Sequence, residues 1–490
     1  MFCRPVLPFP VAAAAIPIET LANIALANFT GFPSTGSSRS DENSDGSYGW
    51  LAWGVTVLQI DFAFPYSGQY TFTIPAYYLT GESATGNGLQ VYIDQIPAVA
   101  SASQVLNVSD YFLWWVTNVG TEGTGPSVNY TFTANVLAGT HSILVRMLPT
   151  AGGGQELHCD RIIIASTGVG LPAEPAGSRD PYNYPLSAWS YWNLPIGSNV
   201  EWSNATDADT EAITGATECA VNSGYYTGAF FEGQSSDPEW TWTDSDVALT
   251  PVGNGSDPQT IHSPSGTAAS GGDGGLCITD GTNPRYAYVG FGATVSSPNV
   301  SMYRAKVVDN YNGFNHGQCQ DTSYYTGIIR AAELTAGVIN HMISFGMATQ
   351  LVKAGDTYLT GLAWPACESD YDGPTGLYTG PTLYGSAVGI PYGTAMPSLT
   401  PTGQAAWNAF KYFGGQLNIT GGEPNDEVLI FVEEGAGSLP QTANLATDWP
   451  TIVPYLRIMR NNGPNSIKGG GAYLTSMLPG LVSGLPAKTI

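Results

Sequence analysis

The stretch Gly68-Gln69-Tyr70-Thr71-Phe72-Thr73-Ile74 alternates aromatic or aliphatic residues with polar ones. A period of two places one face of an extended strand on a core and the other in water. Similar short runs occupy residues 55–64, 89–93, 114–119, 128–134, 141–147 and 161–165, with Gly, Pro and Ser between them. Together with 69–74 they predict an antiparallel β-sandwich of the jelly-roll type.

Working outward, residues 33–47 are rich in Ser and Gly and carry Asp41, Glu42 and Asp45, the composition of a linker or long loop. Pro172, Pro175, Pro181 and Pro185 mark a second linker. At 490 residues the chain exceeds one hydrophobic core. The expected organisation is an N-terminal segment 1–47 with a short helix over 16–29, a sandwich over 48–167, a linker over 168–185 and a larger C-terminal domain over 186–490. The fold class is mainly β, since Gly is abundant at 60 residues and only 11% of residues are charged. Helices are expected in the C-terminal domain over 332–348 and 402–413. In the first, Leu334, Val338, His341 and Phe345 recur at helical spacing, which puts His341 on the apolar stripe.

The formal net charge is −24 and the first lysine is Lys306, so no basic face is available for nucleic acid or an anionic membrane. No run approaches the roughly 20 apolar residues that cross a bilayer, which argues against membrane insertion. Pro5, Pro8 and Pro10 interrupt the apolar N-terminus, so no clean signal peptide is expected. The six cysteines are widely spaced without a C-x-x-C pair, which argues against structural zinc and leaves disulfide pairing open. Phosphate-binding loops, dinucleotide fingerprints, nucleophile elbows and H-E-x-x-H are absent from the sequence.

Three further segments carry a family resemblance when taken with the last strand. They are Pro65-Tyr66-Ser67-Gly68-Gln69-Tyr70, Gly88-Leu89-Gln90-Val91-Tyr92-Ile93-Asp94 and Leu137-Ala138-Gly139-Thr140-His141, followed by Asp160-Arg161-Ile162-Ile163-Ile164. In this order they resemble carbohydrate-binding β-sandwich modules, malectin-like domains among them. The resemblance implies a polysaccharide or glycan as partner. A pyranose is held by flat aromatic faces with amides and carboxylates nearby. Trp50, Trp53, Tyr77, Tyr78, Tyr111 and Trp115, with Asn87 and Asp94, are the candidates for that role, although a sandwich also buries aromatics simply as core.

The run Ser187, Ser190, Trp192, Asn193, Pro195 and Ile196 is similar to the opening of a region shared by uncharacterised secreted bacterial proteins. So are Asp273-Gly274, Asp280-Gly281, Gly327-Ile328-Ile329-Arg330 with Glu333 and His341, and Trp364-Pro365-Ala366. The family pattern has a histidine after the first Asp-Gly, where this chain has Gly275.

Chemistry alone selects His341, Glu333, Glu368, Asp370 and Arg330 as catalytic candidates, with Asp273, Asp280 and Asp372 beside them. A glycoside hydrolase needs two carboxylates, and a polysaccharide lyase needs a base and a cation for the uronate. Both remain open. His341 on an apolar stripe equally fits a satisfied core histidine, and Glu333 a carboxylate favoured by a helix N-terminus. No metal ligand set is expected. The run Glu368-Ser369-Asp370-Tyr371-Asp372-Gly373 begins like a calcium loop but has Thr379 at its closing position, so it fits a solvated acidic turn better and leaves calcium open as the one cofactor.

These readings give an extracellular, cell-surface or virion-surface protein in which a sugar-binding sandwich tethers a polysaccharide-degrading domain. The alternative is a non-catalytic structural or receptor-binding surface protein, such as an adhesin, surface-layer or viral tail component. The oligomeric state is not fixed by the sequence.

Overall fold

The computed structural model describes residues 20–25, 50–51, 56–65, 68–77, 88–93, 128–136, 139–148, 158–159 and 161–170 of the N-terminal part. From 190 to 471 it describes all but 225, 245–258, 281–285, 310–324, 356–360, 365, 367–375, 421–426 and 464–465. The chain divides into two compact units, one formed mainly by residues 14–171 and the other mainly by 172–490.

The first unit is all β. Its strands are β1 (Thr20–Ala25), β2 (Trp50–Leu51), β3 (Thr56–Phe64), β4 (Gly68–Tyr77), β5 (Gly88–Ile93), β6 (Val128–Val136), β7 (Gly139–Leu148), β8 (His158–Cys159) and β9 (Arg161–Gly170). One sheet has the order β1-β9-β4-β8-β2 with β6 also on β4; the other has the order β3-β7-β5. The alternation over 68–74 is realised as read: Tyr70, Phe72 and Ile74 are fully buried while Thr71 and Thr73 are half-buried. Phe64, at the end of β3, lies 4.9 Å from Tyr70 and 6.1 Å from Phe72 on β4, so these rings join the two sheets. Such edge-to-face and tilted pairs add to the burial that holds a sandwich together.

Residues 20–25 form a strand where a helix was expected. β1 pairs antiparallel with β9, Asn23 opposite Ile163 and Ile24 opposite Ile162. The apolar spacing over 16–29 is short enough to serve either period, and the exposed edge of an isoleucine-rich strand decides for the ladder. The expected strand over 114–119 lies outside the described residues.

The second unit is more mixed than its composition suggests. Its strands are β10 (Glu218–Asn222), β11 (Ala229–Gly233), β12 (Glu239–Asp244), β13 (Gln259–His262), β14 (Leu276–Asp280), β15 (Tyr286–Phe291), β16 (Thr294–Ser296), β17 (Asn299–Met302), β18 (Arg304–Asp309), β19 (Ile343–Met347), β20 (Ala387–Gly389), β21 (Gly415–Thr420), β22 (Glu427–Phe431) and β23 (Arg457–Ile458). Its helices are α1 (Ala208–Thr214), α2 (Ala331–Ala336), α3 (Pro401–Tyr412) and α4 (Pro440–Ile452).

A six-stranded sheet of order β10-β22-β19-β21-β20-β23 forms its centre. β10 runs parallel to β22 and β19 parallel to β21, while β19 is antiparallel to β22. On one face, Phe345, Leu417 and Ile430 join a core with Trp407 and Phe410 of α3 and Leu445 and Trp449 of α4. Phe410 stacks on Trp449 at 5.3 Å, and the Trp449 indole N–H donates to the Val428 carbonyl at 3.0 Å. Beside it, the four-stranded sheets β11-β14-β15-β18 and β13-β12-β17-β16 share a second core of Trp240, Trp242, Leu276, Ile278, Val300 and Met302.

α3 agrees with the helix expected over 402–413. It opens at Thr400, whose hydroxyl accepts from the Gly403 N–H at 3.2 Å, with Pro401 in the first turn. The expected helix over 332–348 is corrected: it stops at Ala336, Gly337 takes the left-handed conformation at φ 69°, and 343–347 is the fully buried strand β19. The apolar run there has strand length, and a left-handed glycine closes the helix before it. His341 therefore sits on the connector between α2 and β19, not on a helical stripe.

The motif around 190–196 is built into this unit as a structural plug. Trp192 is buried, its carbonyl accepts from the Met342 N–H at 2.7 Å, and a β-carbon on Gly327 (φ 72°) would come 2.5 Å from its ring. The fully buried Lys468, itself in a left-handed conformation at φ 47°, donates to the carbonyls of Leu194 at 2.6 Å and Phe413 at 2.8 Å. Burial lowers the proton affinity of this amine well below that of an ordinary lysine. The unfolded chain then binds more protons than the folded one in the alkaline range below the ordinary lysine value, so stability rises with pH across that range. Replacing Lys468 by Met is expected to flatten that rise and to lower stability by about 1–3 kcal/mol per carbonyl left unpaired. Urea unfolding at several alkaline pH values checks it; an unchanged slope would remove the lysine from the account.

Candidate functional site

The arrangement of the central sheet decides what meets at its edge. Because β19 is antiparallel to β22, the start of β19 lies at the carboxyl end of β22, where open sheets commonly place their functional loops. Just past β22, the Glu433 N–H donates to the Ile329 carbonyl at 2.9 Å, and the Ile329 N–H donates to the Phe431 carbonyl at 3.0 Å. These bonds draw residues 325–330 against the end of the strand and place Arg330 at the entrance of α2.

Arg330, Glu333 and His341 come together there, buried to within 5% of complete in each case. Glu333, in the first turn of α2, accepts the Arg330 backbone N–H on Oε2 at 2.9 Å. His341 Nε2 lies 2.9 Å from the same oxygen, and Nδ1 lies 2.8 Å from the Met342 carbonyl. A carbonyl only accepts, so Nδ1 carries a hydrogen. Nε2 then either donates to an ionised Glu333 or accepts from a protonated one, and in both cases a single proton lies between them with no net charge. Both imidazole nitrogens are thus engaged, which makes His341 a support for Glu333 and removes it as a base facing substrate.

The Arg330 guanidinium carbon lies 3.5 Å from the centre of the Phe230 ring and 5.6 Å from that of Tyr325, and Nη2 donates to the Tyr325 carbonyl at 3.3 Å. This is a buried cation over the face of Phe230 and beside Tyr325, which stacks on Phe230. A lyase needs a cation that can reach a uronate, and this one is covered.

Glu433, at this same edge, is not among the candidates the sequence suggests. It is half-buried; Oε1 accepts from the Ala331 N–H at 3.0 Å, and Oε2, itself buried, has no hydrogen-bond partner among the described residues. Burial raises its proton affinity above that of an ordinary glutamate, opposed by the nearby Arg330 and the Ala331 N–H and assisted by the charge of Glu333. Glu333 Oε1 is likewise unpartnered among the described residues. The available signal was Val432-Glu433-Glu434-Gly435, a carboxylate pair directly after an apolar strand. It resembles an ordinary turn unless the sheet topology is known.

The glycine-rich loop around Asp273 adjoins this edge. Glu434, exposed to solvent, accepts a backbone hydrogen bond from Gly271, and the Asp273 carbonyl accepts from the Gly292 N–H at 2.8 Å. Asp280 ends β14, on the sheet that carries Phe230. Glu368, Asp370 and Asp372 lie outside the described residues. The acidic group Asp207 and Asp209 is tied down by Arg460, at 2.9 Å and 2.5 Å.

Of the sugar-binding candidates, Trp53, Tyr78, Asn87, Asp94, Tyr111 and Trp115 lie outside the described residues. Trp50 in β2 stands opposite Cys159, and Tyr77 at the end of β4 stands opposite His158, so β8 runs between them. Cys219 and Cys277 are free thiols. Among the described residues no group of three or more His, Cys, Asp or Glu is arranged to hold a metal, and no helix is long and apolar enough to cross a membrane.

No family model matches the chain, and no curated protein matches it. Solved structures do. The C-terminal family 6 carbohydrate-binding module of the laminarinase LamC from Zobellia galactanivorans is 16% identical, with a TM-score of 0.22 over 30% of this chain and 98% of that one. The family 6 module of lichenase 5A from Cellvibrio mixtus, in complex with cellotriose, is 15% identical, with a TM-score of 0.22 over 30% of this chain and 99% of that one. A family 35 module from Clostridium thermocellum is 17% identical, with a TM-score of 0.22 over 30% of this chain and 100% of that one. Overlap of that extent does not set chemistry, which rests on the chain's own residues.

Proposed function

We propose that the protein is a glycan-interacting protein of the extracellular space, cell surface or virion surface. The first unit holds polysaccharide and the second hydrolyses it, with Glu433 as proton donor. The observation that carries the catalytic part is the Glu433 carboxyl. One oxygen is fixed by the Ala331 N–H, the other is buried and unpartnered among the described residues, and the proton affinity of the carboxyl is raised by burial. A carboxyl whose proton affinity is raised above the ordinary range is what protonation of a glycosidic oxygen requires. Arg330, Glu333 and His341 act as positioning residues that set its charge environment. Glu434, exposed beside Glu433, is the carboxylate at hand for the second role that hydrolysis needs. The ordered motifs of the N-terminal sandwich support glycan binding, and the likeness of the 187–196 run to secreted proteins supports the location.

A second reading has its own observation. The full engagement of both His341 nitrogens and the burial of Arg330 and Glu333 are also what a purely structural brace provides. The protein would then be a non-catalytic adhesin, surface-layer or tail component. Incubating the full chain with laminarin, arabinoxylan, arabinogalactan and alginate separates the two. Hydrolysis gives new reducing ends without unsaturated uronates; no product from any of the four leaves the second reading.

A further inference from the structure

We infer that Tyr303 and Phe291 form a sugar-stacking subsite, distinct from the N-terminal sandwich, for a polysaccharide whose chain continues to Glu433. Most of the large aromatics of the second unit are buried, but Tyr303 is 47% exposed at the turn between β17 and β18. Its ring packs edge-on against Phe291 with centroids 5.6 Å apart. The turn is built to keep it there. The Tyr303 N–H donates to the Phe291 carbonyl at 3.0 Å, and Gly292 is left-handed at φ 64°. A β-carbon on Gly292 would come 2.6 Å from the Tyr303 β-carbon, so the close approach of the two turns needs glycine.

The position of this pair names its occupant. The Gly292 N–H is bonded to the Asp273 carbonyl, the Ala293 N–H to the Gly274 carbonyl, and Gly271, two residues before Asp273, is bonded to the exposed carboxylate of Glu434. One short loop therefore joins the aromatic pair to the residue beside Glu433. With consecutive Cα atoms about 3.8 Å apart, the path along it is on the order of 15 Å. An exposed ring with the exposed Glu434 carboxylate bonded to the same loop offers what a pyranose needs: a flat face for its C–H side and an acceptor for its hydroxyls. The Glu434 carboxylate on this path disfavours an anionic glycan, so the ligand class is a neutral polysaccharide. This inference rests on the Glu433 reading for the direction of the chain, but not for the stacking itself.

The test uses the full chain carrying Glu433→Gln, so that polysaccharide is bound without being consumed. Hydroxyl-radical footprinting with laminarin, arabinoxylan, arabinogalactan and alginate reads modification of Tyr303. A neutral polysaccharide is expected to protect Tyr303, and alginate to leave it unprotected. Tyr303→Ala should raise Kd for the protecting polysaccharide about threefold to tenfold, and Tyr303→Phe should restore binding. Modification of Tyr303 unchanged by all four, or a Kd for Tyr303→Ala within twofold of its parent, overturns the subsite. Protection of Tyr303 in a Glu433→Gln chain that still cleaves at the parental rate would keep the subsite and remove the Glu433 reading.

Discussion

Glu433→Gln is expected to lower kcat on the cleaved polysaccharide by about 10²-fold to 10⁴-fold, the usual contribution of a positioned acid or base. The amide keeps an oxygen for the Ala331 N–H, so the turn after β22 stays intact. It has no proton to give a leaving oxygen. KM should change little, because the carboxyl oxygen lost is needed in the transition state and not for holding the ground state. Steady-state rates for both chains on one polysaccharide suffice. A variant with more than a tenth of the parental kcat would mean that Glu433 carries no proton in the reaction.

His341→Leu should destabilise the second unit by about 1–3 kcal/mol, the cost of leaving a buried carboxyl oxygen without this hydrogen-bond partner. Glu333 Oε2 would retain only the Arg330 N–H, at a residue with no exposed surface. The double variant His341→Leu with Glu333→Leu removes the carboxyl together with its partner and is expected to recover a large part of the loss. Buried pairs exchanged for apolar residues are often near neutral, and a double-mutant cycle isolates the coupling. Urea unfolding followed by tryptophan fluorescence reads both, since Trp407 and Trp449 are buried in the core that α3 and α4 share with the central sheet. A loss below about 1 kcal/mol in the single variant would show that the pair is not what holds this edge together.

The sandwich was legible because period-two alternation is local: Tyr70, Phe72 and Ile74 are inward whatever the rest of the chain does. α3 was legible for the same reason, with Thr400 and Pro401 marking its start. The β1 strand and the α2-to-β19 segment were misread because short apolar runs serve either period, and the choice is made elsewhere, by the β9 edge and by Gly337. The candidate site was legible in part. Arg330, Glu333 and His341 lie within one motif and do converge, but their roles follow from bonds to Met342 and Tyr325 that no spacing announces. Glu433 stands 100 residues after Glu333, and only the antiparallel placement of β19 on β22 brings the two together.

The pH dependence of kcat/KM on the cleaved polysaccharide reads the proton on Glu433. Burial raises the Glu433 proton affinity, so activity should persist above the ordinary glutamate range and fall as that proton is lost at higher pH. That falling limb should be absent from the residual activity of Glu433→Gln. A limb that stays in place in the variant, or a rate that rises through the same range, would contradict the assignment of Glu433 as the proton donor.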